Sequence, residues 1–105
     1  MSTQDLALWI NGGWSATREY VEVRSPYDNG LVGRAGIAHA DQVREALDAT
    51  VGTAAPDPLE GAAILERVAA HYCENEGPAS RLISAESGLC LKDTMHEVKR
   101  AVATL

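Results

Sequence analysis

Cys73 and Cys90 are the only thiols in this 105-residue chain, and a thiolate is the strongest nucleophile a side chain offers near neutral pH. A catalytic cysteine needs a lowered pKa, supplied by a neighbouring histidine, a cation or a helix N-terminus. Cys90 follows Gly88 closely, near a predicted helix start, and His96 lies further along the same segment. The plainer reading makes both cysteines small buried hydrophobes, as free cysteine is in most cores. Their spacing matches no zinc pattern. Two cysteines are also too few for a secreted disulfide scaffold, so both are expected to be reduced.

The histidines are His39, His71 and His96. His96-Glu97 opens like a zinc-protease motif, but no second histidine follows at the required spacing. His39 is expected at a helix entrance and His71 on a helix flank, both in ordinary surface roles. Gly12-Gly13 and Gly33-x-x-Gly36 fall short of the G-x-G-x-x-G fingerprint that cradles a dinucleotide between a strand and a helix. Glu86, Asp93 and Glu97 are explained by capping and solvated ion pairing. Residue chemistry alone therefore yields no self-contained active site: no catalytic and no cofactor-binding residue is assigned.

Composition narrows the class. A net charge of −6 with no basic run argues against a nucleic-acid partner, which calls for a positive patch. No apolar stretch approaches the ~20 residues of a membrane span. The opening Met-Ser-Thr-Gln-Asp lacks the charged and apolar regions of a signal peptide, so a cytoplasmic protein is expected. There is no Phe, and aromatics are 5% of the residues. Alanine supplies much of the apolar count and contributes little buried area, whereas a leucine-sized side chain is worth ~1.5–3 kcal/mol when buried. A domain of this size hides only ~60–65% of its unfolded surface, so more chain to pack against would help it.

The elements that must position these residues fall into a strand-rich front, 1–38, and a helical back, 39–105, in a single partial domain of the α+β class. Leu8-Trp9-Ile10, Asn11-Gly12 and Gly13-Trp14 read as a β-hairpin, because Asn-Gly tolerates the positive φ angles of a tight primed turn. Tyr20 to Arg24 alternates at period two, as a half-buried strand does. Ser25 to Gly30 is dense in turn formers, and Leu31 to Ala38 gives another strand, loosened by Gly33 and Gly36. From Ala40 the apolar period becomes helical through Val43, Leu47 and Val51. Asp57-Pro58-Leu59-Glu60 starts a second helix: Asp57 as cap, Pro58 at the first position, Glu60 placed for a capping box. That helix runs to about Glu74 with Ile64, Leu65, Val68 and Tyr72 expected inside. Gly77-Pro78 breaks and restarts the chain, a third helix ends at Gly88, and a fourth carries the apolar seam Leu91, Met95, Val98, Val102 and Leu105. This periodicity still runs at Leu105, where a finished domain usually frays into a polar tail, and truncation is the simplest reading.

Six blocks, in order, resemble the amino-terminal region of the aldehyde dehydrogenase superfamily across roughly Leu8 to Leu105. They are Trp9-Ile10-Asn11-Gly12-Gly13-Trp14, then Val23 through Gly33, then Asp41-Gln42-Val43 with Ala46-Leu47. Ala62 through Ala69, Leu82 through Gly88, and Glu97-Val98 with Arg100-Ala101 follow. The run from Glu86 to Thr94 looks most like the phosphonoacetaldehyde and lactaldehyde branch. Departures are the small residues Val51 to Ala55 where aromatics are usual, Gly61 in place of an arginine, and Gly77-Pro78 in place of helix formers. Helical Gly costs ~1 kcal/mol relative to Ala.

The resemblance implies a family reaction in which a thiolate attacks an aldehyde, hydride passes to NAD or NADP, and a glutamate activates water to release an acid. It also implies that the nucleophile, the glutamate, the NAD-binding sheet and the catalytic domain lie downstream of the matched region, with Cys90 not at the nucleophile's place. Val23, Arg24 and Glu97 match places where some members hold a monovalent cation. The leading expectation is an amino-terminal fragment, inactive and without cofactor alone, whose partner is the remainder of the enzyme or a full-length homologue. Its origin would be a truncated or degenerate gene, or deliberate shortening. The alternatives are a helper module that docks on a full-length relative, and a small thiol enzyme using Cys90.

Overall fold

The computed structural model describes residues 4–105. The first three residues, part of the strand-rich front and of the opening read for a signal peptide, lie outside the described residues. Five short strands precede four helices: β1 (Gln4–Leu6), β2 (Leu8–Ile10), β3 (Gly13–Ser15), β4 (Glu19–Arg24), β5 (Leu31–Ile37), α1 (Ala40–Thr50), α2 (Pro58–Glu74), α3 (Glu76–Ser87) and α4 (Leu91–Thr104). The α+β class and the four helices expected from the sequence are present. Contacts gather the chain into two units, Met1–Ala54 and Ala55–Leu105, so α1 keeps company with the strands rather than with the other helices.

In the first unit β5 is the centre of a three-stranded sheet in the order β1-β5-β4. β4 pairs with it antiparallel, with Tyr20 opposite Gly36 and Val23 opposite Gly33, and the register slips at Val23/Arg24. β1 pairs with it in parallel, Asp5 opposite Arg34, and that pair is closed by an ion pair of 2.9 Å between the same two side chains. The β1 strand is not visible in the sequence pattern, because three residues are too few to show a period. β2 and β3 form the expected hairpin, Trp9 opposite Trp14, with Asn11 and Gly12 at φ 50° and 76°, the positive angles of a primed turn. Gly36 does not loosen β5. A Cβ there would lie 2.8 Å from Thr17 Cγ2 and 3.3 Å from the Leu6 carbonyl, so its missing side chain is what lets the neighbouring backbone approach.

Side-chain bonds fix the entrance to α1. The Gln42 side chain accepts from the His39 backbone N–H at 3.2 Å and donates to the Ala16 carbonyl at 2.9 Å, joining the helix start to the segment after the hairpin. Thr17 donates its hydroxyl to the Ile37 carbonyl. Sequence places Val43, Leu47 and Val51 on an inward helix face. In the structure they are exposed, at 47%, 62% and 79%, because only the hairpin and sheet are available to cover them. Likewise the half-buried strand expected at Tyr20–Arg24 leaves Tyr20 and Val21 exposed, with Val23 alone half-buried.

In the second unit Asp57 caps α2, accepting from the Leu59 and Glu60 amides at 2.9 and 3.0 Å. Among the described residues no reciprocal bond from Glu60 completes a capping box. The chain breaks at Asn75, not at Gly77-Pro78: α3 already runs from Glu76, and Pro78 sits in its first turn, where the missing N–H has no intrahelical partner to lose. Gly88 closes α3 in the left-handed conformation at φ 76°, donating to the Ser84 carbonyl, as a C-cap glycine does. Ile64, Leu65, Val68 and Tyr72 of α2, expected inside, are all exposed. Burial concentrates instead where α3 meets α4, on Ser80, Thr94 and Val98, at 1%, 0% and 3% exposure. Ser80 and Ser84 are one helical turn apart on α3, and Thr94 and Val98 one turn apart on α4, so two stripes of small side chains face each other.

Large apolar side chains stay exposed in each unit, among them Trp9, Trp14 and Leu47 in the first and Leu59, Leu65 and Leu91 in the second. In urea unfolding Asp57→Ala is expected to cost about 1 kcal/mol and Thr94→Leu about 1–3 kcal/mol through overpacking, with Glu60→Ala near neutral. Equal losses for Asp57→Ala and Glu60→Ala would restore the capping box.

Candidate functional site

The thiols stand apart from the roles read for them in the sequence. Cys73 lies in the last turn of α2 and Cys90 at the N-cap of α4, and both are free and exposed. The reading that buries them as small hydrophobes is therefore overturned: Cys90 stands at an open helix start, and Cys73 borders a shallow cleft with Val98 and Val102 that leaves its thiol exposed. Cys90 does occupy the helix start expected of it, without a side-chain cap bond. Position at a helix N-terminus alone does not make a nucleophile; a base must be within reach, and no hydrogen bond joins Cys90 to a histidine among the described residues.

The histidines have structural posts. His39 is the N-cap residue of α1, as expected. Its Nε2 is enclosed without a hydrogen-bond partner among the described residues, beside a polar cleft lined by Thr17, Arg18, Asp41 and Gln42. His71 gives its carbonyl to the Asn75 side chain at 2.9 Å at the end of α2. Among the described residues no group of three or more His, Cys, Asp or Glu side chains is gathered as metal ligands would be.

Val23 and Arg24, at the end of β4, belong to the first unit, and Glu97, on α4, to the second. Arg24 is a clamp. Its Nε and Nη2 reach Glu22 Oε2 at 2.9 and 2.7 Å, and its Nη1 donates to the Asn29 carbonyl at 2.9 Å. Glu97 pairs with Arg100 one turn on, at 2.5 Å. Val23 offers only its carbonyl to any ligand. These are the partners of Arg24 and Glu97, two of the three residues that the family resemblance marks for a cation.

The glycines do not build a dinucleotide cradle. Gly12 and Gly13 lie between two antiparallel strands, and Gly33 and Gly36 lie within β5, whereas a pyrophosphate site needs a glycine turn leading from a strand into a helix.

What the structure presents instead is apolar relief. In the first unit a groove of about 450 Å³ runs between β2 and α1, lined by Leu8, Trp9, Ile10, Val43, Ala46 and Leu47. Trp9 packs edge-on against Trp14, with ring centroids 5.0 Å apart, yet the two remain 61% and 67% exposed. In the second unit an open cleft of about 480 Å³ between α2 and α4 is lined by Tyr72, Glu97, Arg100, Ala101, Thr104 and Leu105. The seam Leu91, Met95, Val98, Val102 and Leu105 is real as a helical stripe, but only Val98 within it is buried; Leu91, Met95 and Leu105 stay exposed. Periodicity finds such stripes and cannot tell which of them the same chain will cover.

No family model matches the chain. Individual proteins do. It is 26% identical over 103 residues to the lactaldehyde dehydrogenase of Methanococcus aeolicus, covering 92% of this chain and 22% of that protein. It is 28% identical over 102 residues to the 3-sulfolactaldehyde dehydrogenase of Priestia aryabhattai, covering 93% of this chain and 21% of that one. Among solved structures it superposes on aldehyde dehydrogenase 21 from Physcomitrella patens, determined with the reaction product succinate, with a TM-score of 0.88, 23% identity and coverage of 99% and 23%. Lactaldehyde dehydrogenase from Escherichia coli gives 0.86, 22%, and coverage of 97% and 23%. The likeness to the solved structures shows the fold, and the sequence relatives carry the same family description. The chain spans about a fifth of the length of the relatives it matches, and over that span it is similar to the amino-terminal region of aldehyde dehydrogenases. A thiol-specific chromogenic reagent should titrate both Cys73 and Cys90 in the native chain without denaturant; a single fast equivalent would mean that one of them is shielded.

Proposed function

We propose that this chain is scaffold for an NAD(P)-dependent enzyme oxidising a small aldehyde to an acid, and that it does not catalyse the reaction alone. The observation that carries the reading is the mismatch of coverage: the likeness takes in nine tenths of this chain but about a fifth of its relatives. Four fifths of each relative therefore has no counterpart here. The exposed apolar groups support the same reading. Val43, Leu47, Ile64, Leu65 and Met95 sit at helical spacings suited to packing, and a leucine-sized side chain gains ~1.5–3 kcal/mol when something covers it.

The partner is the remainder of such an enzyme, which supplies the nucleophile, the general base and the nicotinamide site. The relatives' names share a small 2-hydroxyaldehyde, lactaldehyde or its 3-sulfo derivative, and this is the substrate class proposed for the whole protein. The chain's own contribution is surface: the groove of the first unit and the exposed faces of α2 and α4, each able to seat an apolar element.

Purified chain mixed with lactaldehyde or 3-sulfolactaldehyde and NAD⁺ or NADP⁺ is expected to produce no reduced nicotinamide above a protein-free blank. Turnover that scales with protein concentration overturns the proposal. A dye that fluoresces on apolar surface should light up strongly on the native chain, and a dark native chain would show that its grooves are already closed.

A further inference from the structure

The sequence contains two Asn-Gly pairs, Asn11-Gly12 and Asn29-Gly30, both exposed and both with the asparagine at positive φ, 50° and 58°. Asn-Gly is the dipeptide most open to self-modification, because glycine puts no side chain in the way of its own nitrogen. The Gly nitrogen attacks the asparagine Cγ. An N–Cγ bond forms, the Cγ–Nδ2 bond breaks, and Nδ2 leaves as ammonia with the glycine amide proton. Water then opens the five-membered imide at either carbonyl to give aspartate or isoaspartate. No electron is transferred, and water is the sole co-reactant.

The two pairs are held differently. Around Asn29-Gly30 the Gly30 amide, which would have to become the nucleophile, donates to Asp28 Oδ1 at 2.9 Å. The Asn29 amide donates to the Ser25 carbonyl and the Ser25 amide to the Gly30 carbonyl, both at 2.9 Å. The Asn29 carbonyl accepts from Arg24 Nη1 at 2.9 Å. An Asp28 carboxylate on the Gly30 N–H disfavours its deprotonation as well as pinning it. Around Asn11-Gly12, among the described residues, no hydrogen bond holds the Asn11 carboxamide or the Gly12 amide, and a Cβ placed on Gly12 would meet nothing within 4 Å. The turn closes a hairpin of only three residues a side, which opens locally at small cost.

The geometry points to Asn11 as a spontaneous deamidation site that the fold leaves open, and to Asn29 as one that the fold protects through Asp28 and Arg24. The reaction would place a negative charge, and in the isoaspartyl product an extra backbone carbon, in the turn that sets Trp9 opposite Trp14.

The test is peptide mapping by mass spectrometry of the purified chain held at mildly alkaline pH, folded and in urea. In urea the ratio of conversion at Asn11 to that at Asn29 reports local sequence alone. On folding, that ratio is expected to rise by about fivefold or more, the effect of one additional hydrogen bond to open. Asp28→Ala should bring Asn29 conversion in the folded chain up towards that of Asn11, with Asn11 unchanged. A ratio that is the same folded and unfolded, or that falls on folding, overturns the inference, as does an Asp28→Ala chain in which Asn29 stays slow.

Discussion

The packing of α3 against α4 is the contact on which the helical unit depends. Ser80, Thr94 and Val98 are the side chains it takes almost wholly out of water, and two of the three carry hydroxyls. Each hydroxyl is satisfied locally, Ser80 by the Glu76 carbonyl at 2.7 Å and Thr94 by the Leu91 carbonyl and the Ser84 hydroxyl, both at 3.1 Å. Because those bonds are made at short range, small polar residues can line a dry seam without the cost of unpaired groups. Small side chains also let the two helices approach closely, so the contact is tight but yields little apolar area. The remaining apolar faces of α2 and α4 have to be covered by something else or stay wet.

Much of the local order rests on polar and backbone devices rather than on a core. Asp57 caps α2 and Gly88 closes α3. Gln42 ties the entrance of α1 to Ala16, and Arg24 braces the Ser25–Gly30 loop from the end of β4. Such devices are worth about 1 kcal/mol each, enough to define where elements start and stop. They do not replace the tens of buried methylenes that hold a free-standing domain together. The first unit shows the same economy: β5 is paired on both sides, while the β2–β3 hairpin and α1 leave a groove between them.

Over its length this chain is similar in sequence and fold to part of an aldehyde dehydrogenase, and the residues considered for chemistry hold structural posts in it. Among the described residues both thiols are exposed and no hydrogen bond joins Cys90 to a histidine, His39 and His71 stand at helix ends, and the glycines serve a hairpin and a strand. Chemistry of the aldehyde-oxidising kind requires a thiolate, a general base and a nicotinamide ring brought to one point. Each unit leaves apolar side chains exposed, Val43 and Leu47 in the first and Ile64, Leu65 and Met95 in the second.

The sequence alone was enough for the hairpin at Asn11-Gly12, the α2 start at Asp57-Pro58, the α3 stop at Gly88 and the helical stripe of α4. Each of these is set by neighbours within a few residues, through φ preference, capping or side-chain period. The family likeness was legible for the same reason, being carried by short local blocks. Tertiary structure decided the rest. It revealed β1, whose three residues acquire meaning only beside β5, and the need for Gly36, which comes from Thr17 and Leu6 folding over it. It moved the break between α2 and α3 to Asn75, and it left Cys73, Cys90, Ile64 and Leu65 exposed where the pattern put them inside. Periodicity tells which side chains share a face; whether that face is dry depends on what else is there to cover it, which no local rule contains.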